Sequence, residues 1–331
     1  MEVSSIRHFL LPAILLSFAL ISLVTLKSIA PSLATDQLIF WLVGITSFVI
    51  FSQIKLSFFK RNHWLAFIVL NVLLIAVLIT GTVTRGSTRW FKVGDFFAIQ
   101  PSQLAVPVAG MSLAFFASRY PLSRNKYLVG FLALLAIPSA LVLIEPDLGT
   151  TMHLVVSVGI ILWLSEIKTK QLLSLASMGL IVGLFTWVFI LKPYQKARVT
   201  SFLVAQSDQT HETNYNAFQA QIAVGSGQLY GKGIGQGSQS HLRFLPERQT
   251  DFIFASFAEE WGFFGVSILL SLYLILCTYL IYKSFLLPNK FSSYYFMVTM
   301  TAVAFQAFVN IGMNIGVLPI TGITLPFVSY G

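Results

Sequence analysis

The chain has 331 residues, of which 56% are hydrophobic and only 10% charged, with a mean hydropathy of +0.79. Soluble domains carry about 25% charged residues, so a soluble globular fold is excluded, and with it a disordered chain and an ordinary nucleic-acid-binding domain. The net charge of +9 therefore reads as basic cytoplasmic loops of an all-α, polytopic helical membrane protein, not as a nucleic-acid surface.

A helix needs about 20 apolar residues to cross a bilayer. In chain order nine stretches are predicted to do so: 9–28, 38–54, 64–84, 97–118, 127–144, 151–165, 172–191, 252–282 and 294–313. The first lacks a small-residue cleavage site, which makes it a retained span and not a signal peptide. The fourth is amphipathic and holds Gln100, Ser102 and Gln103. The sixth is short, and the eighth carries Glu259 and Glu260 in its N-terminal half. Cys277 is the only cysteine, so neither an intrachain disulfide nor a thiolate metal cluster can form.

With the N-terminus in the cytoplasm, the inside loops hold Arg7, Lys55, Lys60, Arg61, Arg119, Arg124, Lys126, Lys168, Lys170, Lys283 and Lys290. The short outside loops hold Lys27, Arg85, Arg89 and Lys92. This asymmetry sets the orientation. Acidic residues are biased the other way: Glu2 and Glu166 inside, against Asp36, Asp95, Glu145, Asp147, Asp208, Glu212, Glu247 and Asp251 outside. The ionisable chemistry is thus expected on the extracytoplasmic side, where ATP is absent and a reaction must draw its energy from its substrate.

Residues 192–251 form a long outside loop, and a loop of that length is functional or disordered. Its apolar content argues for structure. Tyr215, Phe218 and Ile222 recur at helical spacing, which predicts an amphipathic helix over 215–224 lying on the membrane face. Gly225, Gly227, Gly231, Gly233, Gly235 and Gly237 follow, a run suited to tight turns and close backbone approach. It is not a Walker A loop, because Ser226 stands where the first Gly is needed and Gly233 follows Lys232. Gly225-Ser226-Gly227 lacks an outside His with a supporting carboxylate at motif spacing, which argues against a serine hydrolase.

Three charged clusters remain. In FLPERQTDFIFASFAEE (244–260), Glu247, Arg248 and Asp251 crowd the start of an apolar helix. Asp251 after Thr250 can be a plain helix cap, but charge at a membrane boundary is costly and marks function. Glu259 and Glu260 fit a structural pair bonding across helices as well as a catalytic one. In EPDLGT (145–150), Glu145 and Asp147 can form a cap and turn, or a polar wall of an outside cavity. In RGSTRWFKVGD (85–95), Arg85, Arg89 and Lys92 can be a solvated loop or an anion site, since Arg recognises phosphate well. Lys192, Lys196 and Arg198 add a second basic group outside.

The strings GSTRWF, QPSQLA, EPDLGTT, LKPYQKARVTSFL, GSQSHLRFLPERQTDFIFASFAEE and GVLPITGITLPFVSYG resemble, in order and spacing, the SEDS family of bacterial peptidoglycan polymerases, in wording closer to its RodA-type elongation members than to its FtsW-type division members. The resemblance covers nearly the whole chain. It implies one transmembrane domain of ten helices, the tenth lying beyond Phe327–Gly331, in the bacterial cytoplasmic membrane. It also implies a glycosyltransferase that polymerises lipid II at the outer face, with a class B penicillin-binding protein, a transpeptidase, as partner. The family's catalytic Asp falls on Asp251, the Asp of its EPD-LGT string on Asp147, and its Arg-Trp pair on Arg89 and Trp90. The family's PSELAK is PSQLAV here, so Gln103 and Val106, i and i+3 neighbours on one helix face, replace an ion pair; its joint loss reads as a structural pair that is dispensable here, with loss of activity as the competing reading. Gln249 stands where the family often has His, which argues against a His base there.

Glycosyl transfer from a pyrophosphate-linked donor needs a base for the acceptor hydroxyl and cations for the leaving group. Asp251 is the expected base. Arg89, Lys192 and Arg198 are expected at the pyrophosphate, with Glu145, Asp147 and Glu247 lining the substrate site. No cofactor is identified and no metal-ligand spacing is visible, although a divalent cation could assist the pyrophosphate. A lipid II flippase and a non-catalytic cell-wall scaffold are the rival readings; the outside bias of the charged motifs favours the polymerase.

Overall fold

The structure is a computed structural model describing residues 2–84, 87–93, 97–193, 195–196, 200, 202, 212–242 and 244–331. Its elements are α1 (Glu2–Ile29), α2 (Pro31–Gln53), α3 (Leu56–Thr80), β1 (Thr82–Thr84), β2 (Ser87–Val93), β3 (Phe97–Ile99), α4 (Ala105–Arg119), α5 (Asn125–Ile144), α6 (Leu148–Leu164), α7 (Thr169–Phe185), α8 (Glu212–Ser226), α9 (Ser238–His241), α10 (Ile253–Leu286) and α11 (Lys290–Asn314). A 3-10 turn, Pro101–Leu104, precedes α4, and a π turn, Thr186–Ile190, extends α7.

Among the described residues seven helices are long and apolar enough to cross a membrane: Phe9–Ile29, Pro31–Gln53, Leu56–Thr80, Asn125–Ile144, Thr169–Ile190, Ile253–Leu286 and Lys290–Asn314. The shorter apolar Leu148–Leu164 answers to the expected sixth span. The expected fourth span differs. Residues 97–99 are β3 and Pro101 opens the 3-10 turn, leaving α4 only 15 residues. The third span ends at Thr80, and 82–84 become β1. Hydropathy cannot distinguish a short apolar strand from a helix; among the described residues three strands, paired antiparallel in the order β1-β2-β3, lie between α3 and α4.

The chain divides into two compact units. The first comprises Met1–Ile54, Ala197–Thr278 and Gln306–Gly331; the second comprises Lys55–Lys196 and Tyr279–Phe305. In the second unit α3 to α6 and the start of α11 enclose a core that includes Phe67, Leu74, Leu113, Phe131, Leu154 and Val298. Lipid tails are as apolar as these side chains, so the core is held mainly by close packing.

In the first unit the predicted amphipathic helix is α8, but its packed face is the small-residue one. Ala220 and Ala223 are fully buried with Leu245, Phe252 and Ala255, whereas Tyr215 and Phe218 are exposed. The glycine run then braces a break in α10. Gly262 takes φ 63°, ψ −165°, which interrupts the helix. The carbonyls freed at Glu259 and Glu260 accept from Lys232 N (2.9 Å) and Gly233 N (3.1 Å). The freed amides of Phe263 and Phe264 donate to Gln228 O (2.8 Å) and Leu229 O (3.1 Å). Buried backbone groups must be paired, and this turn pairs them. A side chain would not fit: a Cβ on Gly231 would lie 2.1 Å from Glu260 O, and one on Gly262 would lie 2.2 Å from Gly231 N.

Candidate functional site

In the first unit Asp251 lies just before α10, half-buried. Its position is set from α11 and the segment after it. Asn310 Nδ2 and Asn314 Nδ2 both donate to Asp251 O at 3.0 Å. Asn310 Nδ2 also donates to Ile323 O (2.8 Å), and Asn314 Oδ1 accepts from Ala255 N (3.3 Å), meeting one open amide of α10. Further along, Ser329 Oγ donates to Thr250 O (2.7 Å) and Tyr330 N to Gln249 O (2.9 Å). The tail after α11 is fixed in turn by Ser22 Oγ, which donates to Val328 O (2.9 Å), and by Gln37 Nε2, which donates to Ser22 Oγ (2.9 Å). Gly322 sits beside the Asp251 carboxylate: a Cβ there would be 3.7 Å from Oδ2, and φ is +77°. With no side chain at 322, only backbone approaches the carboxylate from that position.

Glu247 begins the turn. It adopts φ 52°, its carbonyl accepts from Thr250 N (3.1 Å) and Phe252 N (3.3 Å), and its Oε2 accepts from Thr250 Oγ1 (3.2 Å). Arg248 Nε donates to Ile29 O (3.1 Å), tying the turn to α1.

Glu259 and Glu260 take the structural role. Glu259 is fully buried; its Oε1 accepts from Lys232 Nζ (3.0 Å) and Gln239 N (3.0 Å), and its Oε2 from Ser240 N (3.1 Å) and Ser240 Oγ (2.9 Å). Glu260 Oε1 accepts from Ser28 Oγ (2.5 Å) and Gly235 N (3.1 Å) and lies 3.1 Å from His241 Nε2. The two carboxylates thus fasten the glycine-rich turn to α10.

In the second unit Arg89, on β2, meets the turn between α5 and α6. Its Nε donates to Glu145 O (2.8 Å), one terminal nitrogen donates to Pro146 O, and the other pairs with Asp147 Oδ2 at 3.4 Å. Gln100 Nε2 donates to the same Asp147 oxygen (3.2 Å) and to Ser102 Oγ (3.0 Å). The plain cap also holds, since Asp147 Oδ1 accepts from Thr150 N (3.0 Å) at the start of α6. Lys192 reaches this cluster through its neighbour: Gln195 Oε1 accepts from Lys192 N (2.9 Å) and Gln195 Nε2 donates to Pro146 O (3.2 Å). The Lys192 side chain itself is exposed.

Glu145 is the chemically unusual member. It is fully buried, and neither carboxyl oxygen makes a close, well-aligned hydrogen bond. Burial, reinforced by the nearby Asp147 charge, pushes its carboxyl up to about 7, against the opposing pull of the Ser102 hydroxyl and Arg89.

Arg89, Glu145, Asp147 and Lys192 therefore gather in one unit, and Glu247 and Asp251 in the other. Arg198, Arg85 and Asp95 lie outside the described residues. Sequence reasoning did not single out Gln195, Asn310, Asn314 or Ser329. Two asparagines at i, i+4 in an apolar helix were a usable signal, because amides inside a span seek partners. The expectation that positions 103 and 106 share one helix face is corrected. Gln103 is exposed on the 3-10 turn, whereas Val106 is 5% exposed and packs in the core of α4, because the 3-10 turn ends between them.

Long apolar helices with carboxylates and an arginine gathered at their ends define a multi-pass membrane protein with charged sites at span boundaries. The family model described as cell cycle protein, FtsW/RodA/SpoVE, matches residues 6–331. The chain is 36% identical over 293 residues to peptidoglycan glycosyltransferase MrdB of Escherichia coli K12, covering 87% of this chain and 78% of that one. It is 35% identical over 303 residues to the probable peptidoglycan glycosyltransferase FtsW of Coxiella burnetii, covering 89% and 80%. Its fold is similar to a chain of a peptidoglycan synthase complex, solved to address the coordination of polymerization and crosslinking (TM-score 0.82, 26% identity, 97% and 91% covered). It is also similar to the Thermus thermophilus rod shape determining protein RodA (TM-score 0.72, 25% identity, 98% and 90% covered). The chain belongs to the FtsW/RodA/SpoVE, or SEDS, family and is a peptidoglycan glycosyltransferase of the cytoplasmic membrane.

Proposed function

We propose that this glycosyltransferase polymerises lipid II at the outer face of the membrane, with its N-terminus in the cytoplasm, in the RodA-type role of wall elongation. Asp251 is the general base. It takes the proton of the acceptor's sugar 4-hydroxyl as that oxygen attacks the donor's anomeric carbon. The bond from that carbon to the pyrophosphate oxygen breaks, and undecaprenyl pyrophosphate leaves. Arg89, Lys192 and Arg198 serve the pyrophosphate, and Glu145, Asp147 and Glu247 line the substrate path. Crosslinking falls to a class B penicillin-binding protein, a reading supported by the likeness of this chain to one chain of a peptidoglycan synthase complex that coordinates polymerization and crosslinking.

The observation that carries the proposal is the fixing of the Asp251 backbone by two buried asparagines, Asn310 and Asn314, at the entrance of α10. Preorganised positioning of this kind is what a general base requires. The test is polymerisation of purified lipid II by Asp251→Asn, with products separated on a gel and folding followed by apparent Tm. Loss of a base costs about 10²–10⁴-fold in rate. A wild-type rate in a normally folded variant overturns the assignment.

A further inference from the structure

The second unit carries a feature that polymerisation does not use. Beside the first turns of α3, the last turn of α4 and the start of α5, a hollow of about 590 Å³ is lined by Trp64, Phe115, Phe116, Arg119, Tyr120 and Tyr127. We propose that this hollow binds the headgroup and upper chain of an anionic phospholipid from the leaflet that these helix ends face.

The walls are prebuilt. Tyr120 and Tyr127 stack with centroids 4.9 Å apart, and Phe116 lies 4.9 Å from Tyr120. Gln171, buried at the start of α7, holds the connecting turn by donating to Ser123 O (3.2 Å) and Asn125 Oδ1 (2.8 Å). The turn's own bonds, Tyr120 N to Phe116 O and Arg124 N to Pro121 O, close it.

Aromatic walls alone could take a cationic headgroup, but here the protein's own cations occupy ring faces. The Arg119 guanidinium sits 5.6 Å from the Phe115 centroid and Lys126 Nζ 4.7 Å from that of Tyr127. One ring further, Lys60 Nζ stands 5.9 Å from Phe291, which packs edge-on against Phe115. None of the three forms an ion pair with a carboxylate among the described residues. No Asp or Glu occurs anywhere in residues 96–144. The complement of an aromatic trough rimmed by unneutralised cations is a negative headgroup on an apolar stem, which is the chemistry of basic lipid pockets between membrane helices. A soluble anion would satisfy the cations and leave the aromatic surface uncovered.

The experiment places the full chain in nanodiscs of phosphatidylcholine and titrates in brominated phosphatidylglycerol or, separately, brominated phosphatidylcholine. Quenching of Trp64 fluorescence by the bromine atoms is read as the difference between wild type and Trp64→Phe. The expected result is a Trp64 signal quenched at a lower mole fraction of the anionic lipid. Arg119→Gln with Lys126→Gln shifts that midpoint upward by about fivefold for each cation removed. Equal quenching by the two lipids overturns the proposal, and this arm needs no charge variant to fold. Relief of quenching by millimolar glycerol phosphate also overturns it, because the ligand is then a soluble anion.

Discussion

Replacing Glu145 by Gln tests whether this carboxyl is held neutral by burial. In the folded protein it titrates at about 7 instead of 4.5. Between those values the folded state keeps a proton that the unfolded chain has released, so stability falls as pH rises from about 4.5 to about 7 and is level above that. The separation corresponds to up to about 3 kcal/mol, or about 4 °C in apparent Tm for a chain of this length. Gln is neutral throughout and nearly isosteric, and it meets the same lack of close partners. Near pH 5 variant and wild type should melt together; at pH 8 the variant should melt higher. The assay is apparent Tm in detergent from pH 5 to pH 8. A parallel pH slope in the two proteins would refute the reasoning, because the falling stability would then belong to other groups.

Two further substitutions probe the first unit. Gly262→Ala should cost about 3 kcal/mol, through a left-handed backbone and a Cβ placed 2.2 Å from Gly231 N. Gly235→Ala shares the positive φ but meets nothing within 4 Å and should cost only about 1 kcal/mol; reversal of that order in chemical or thermal melts contradicts the bracing of the broken helix. Asn314→Ala, which removes one of the two bonds to Asp251 O, should slow lipid II polymerisation by at least about tenfold. Because a merely structural role would also lower Tm, the decisive comparison is kcat at a temperature where the variant remains folded.

Much of the candidate site was legible in the sequence because charge at a membrane boundary is conspicuous. Arg89, Glu145 and Asp147 stood out as isolated ionisable groups beside apolar runs, and the structure brings the three together. Asp251 and Glu247 stood out for the same reason and share one turn. What held them was less visible. Asn310, Asn314 and Ser329 act through backbone carbonyls of residues about 60 to 80 positions away, and such bonds leave no local pattern. Gln195 contributes only because the 192–196 segment comes back to Pro146.

The composition and the runs of apolar residues by themselves determined a helical, multi-pass membrane protein, since a chain this poor in charge can bury its surface only in lipid. They also determined most of the long helices, because a span must satisfy its own backbone. Tertiary structure decided what the glycines and the paired glutamates were for. Gly262 breaks α10, Gly231 admits the bracing turn, and Glu259 and Glu260 pin that turn in place. It also decided that residues 97–99 form a strand, because a three-residue apolar segment takes its conformation from the partner it pairs with.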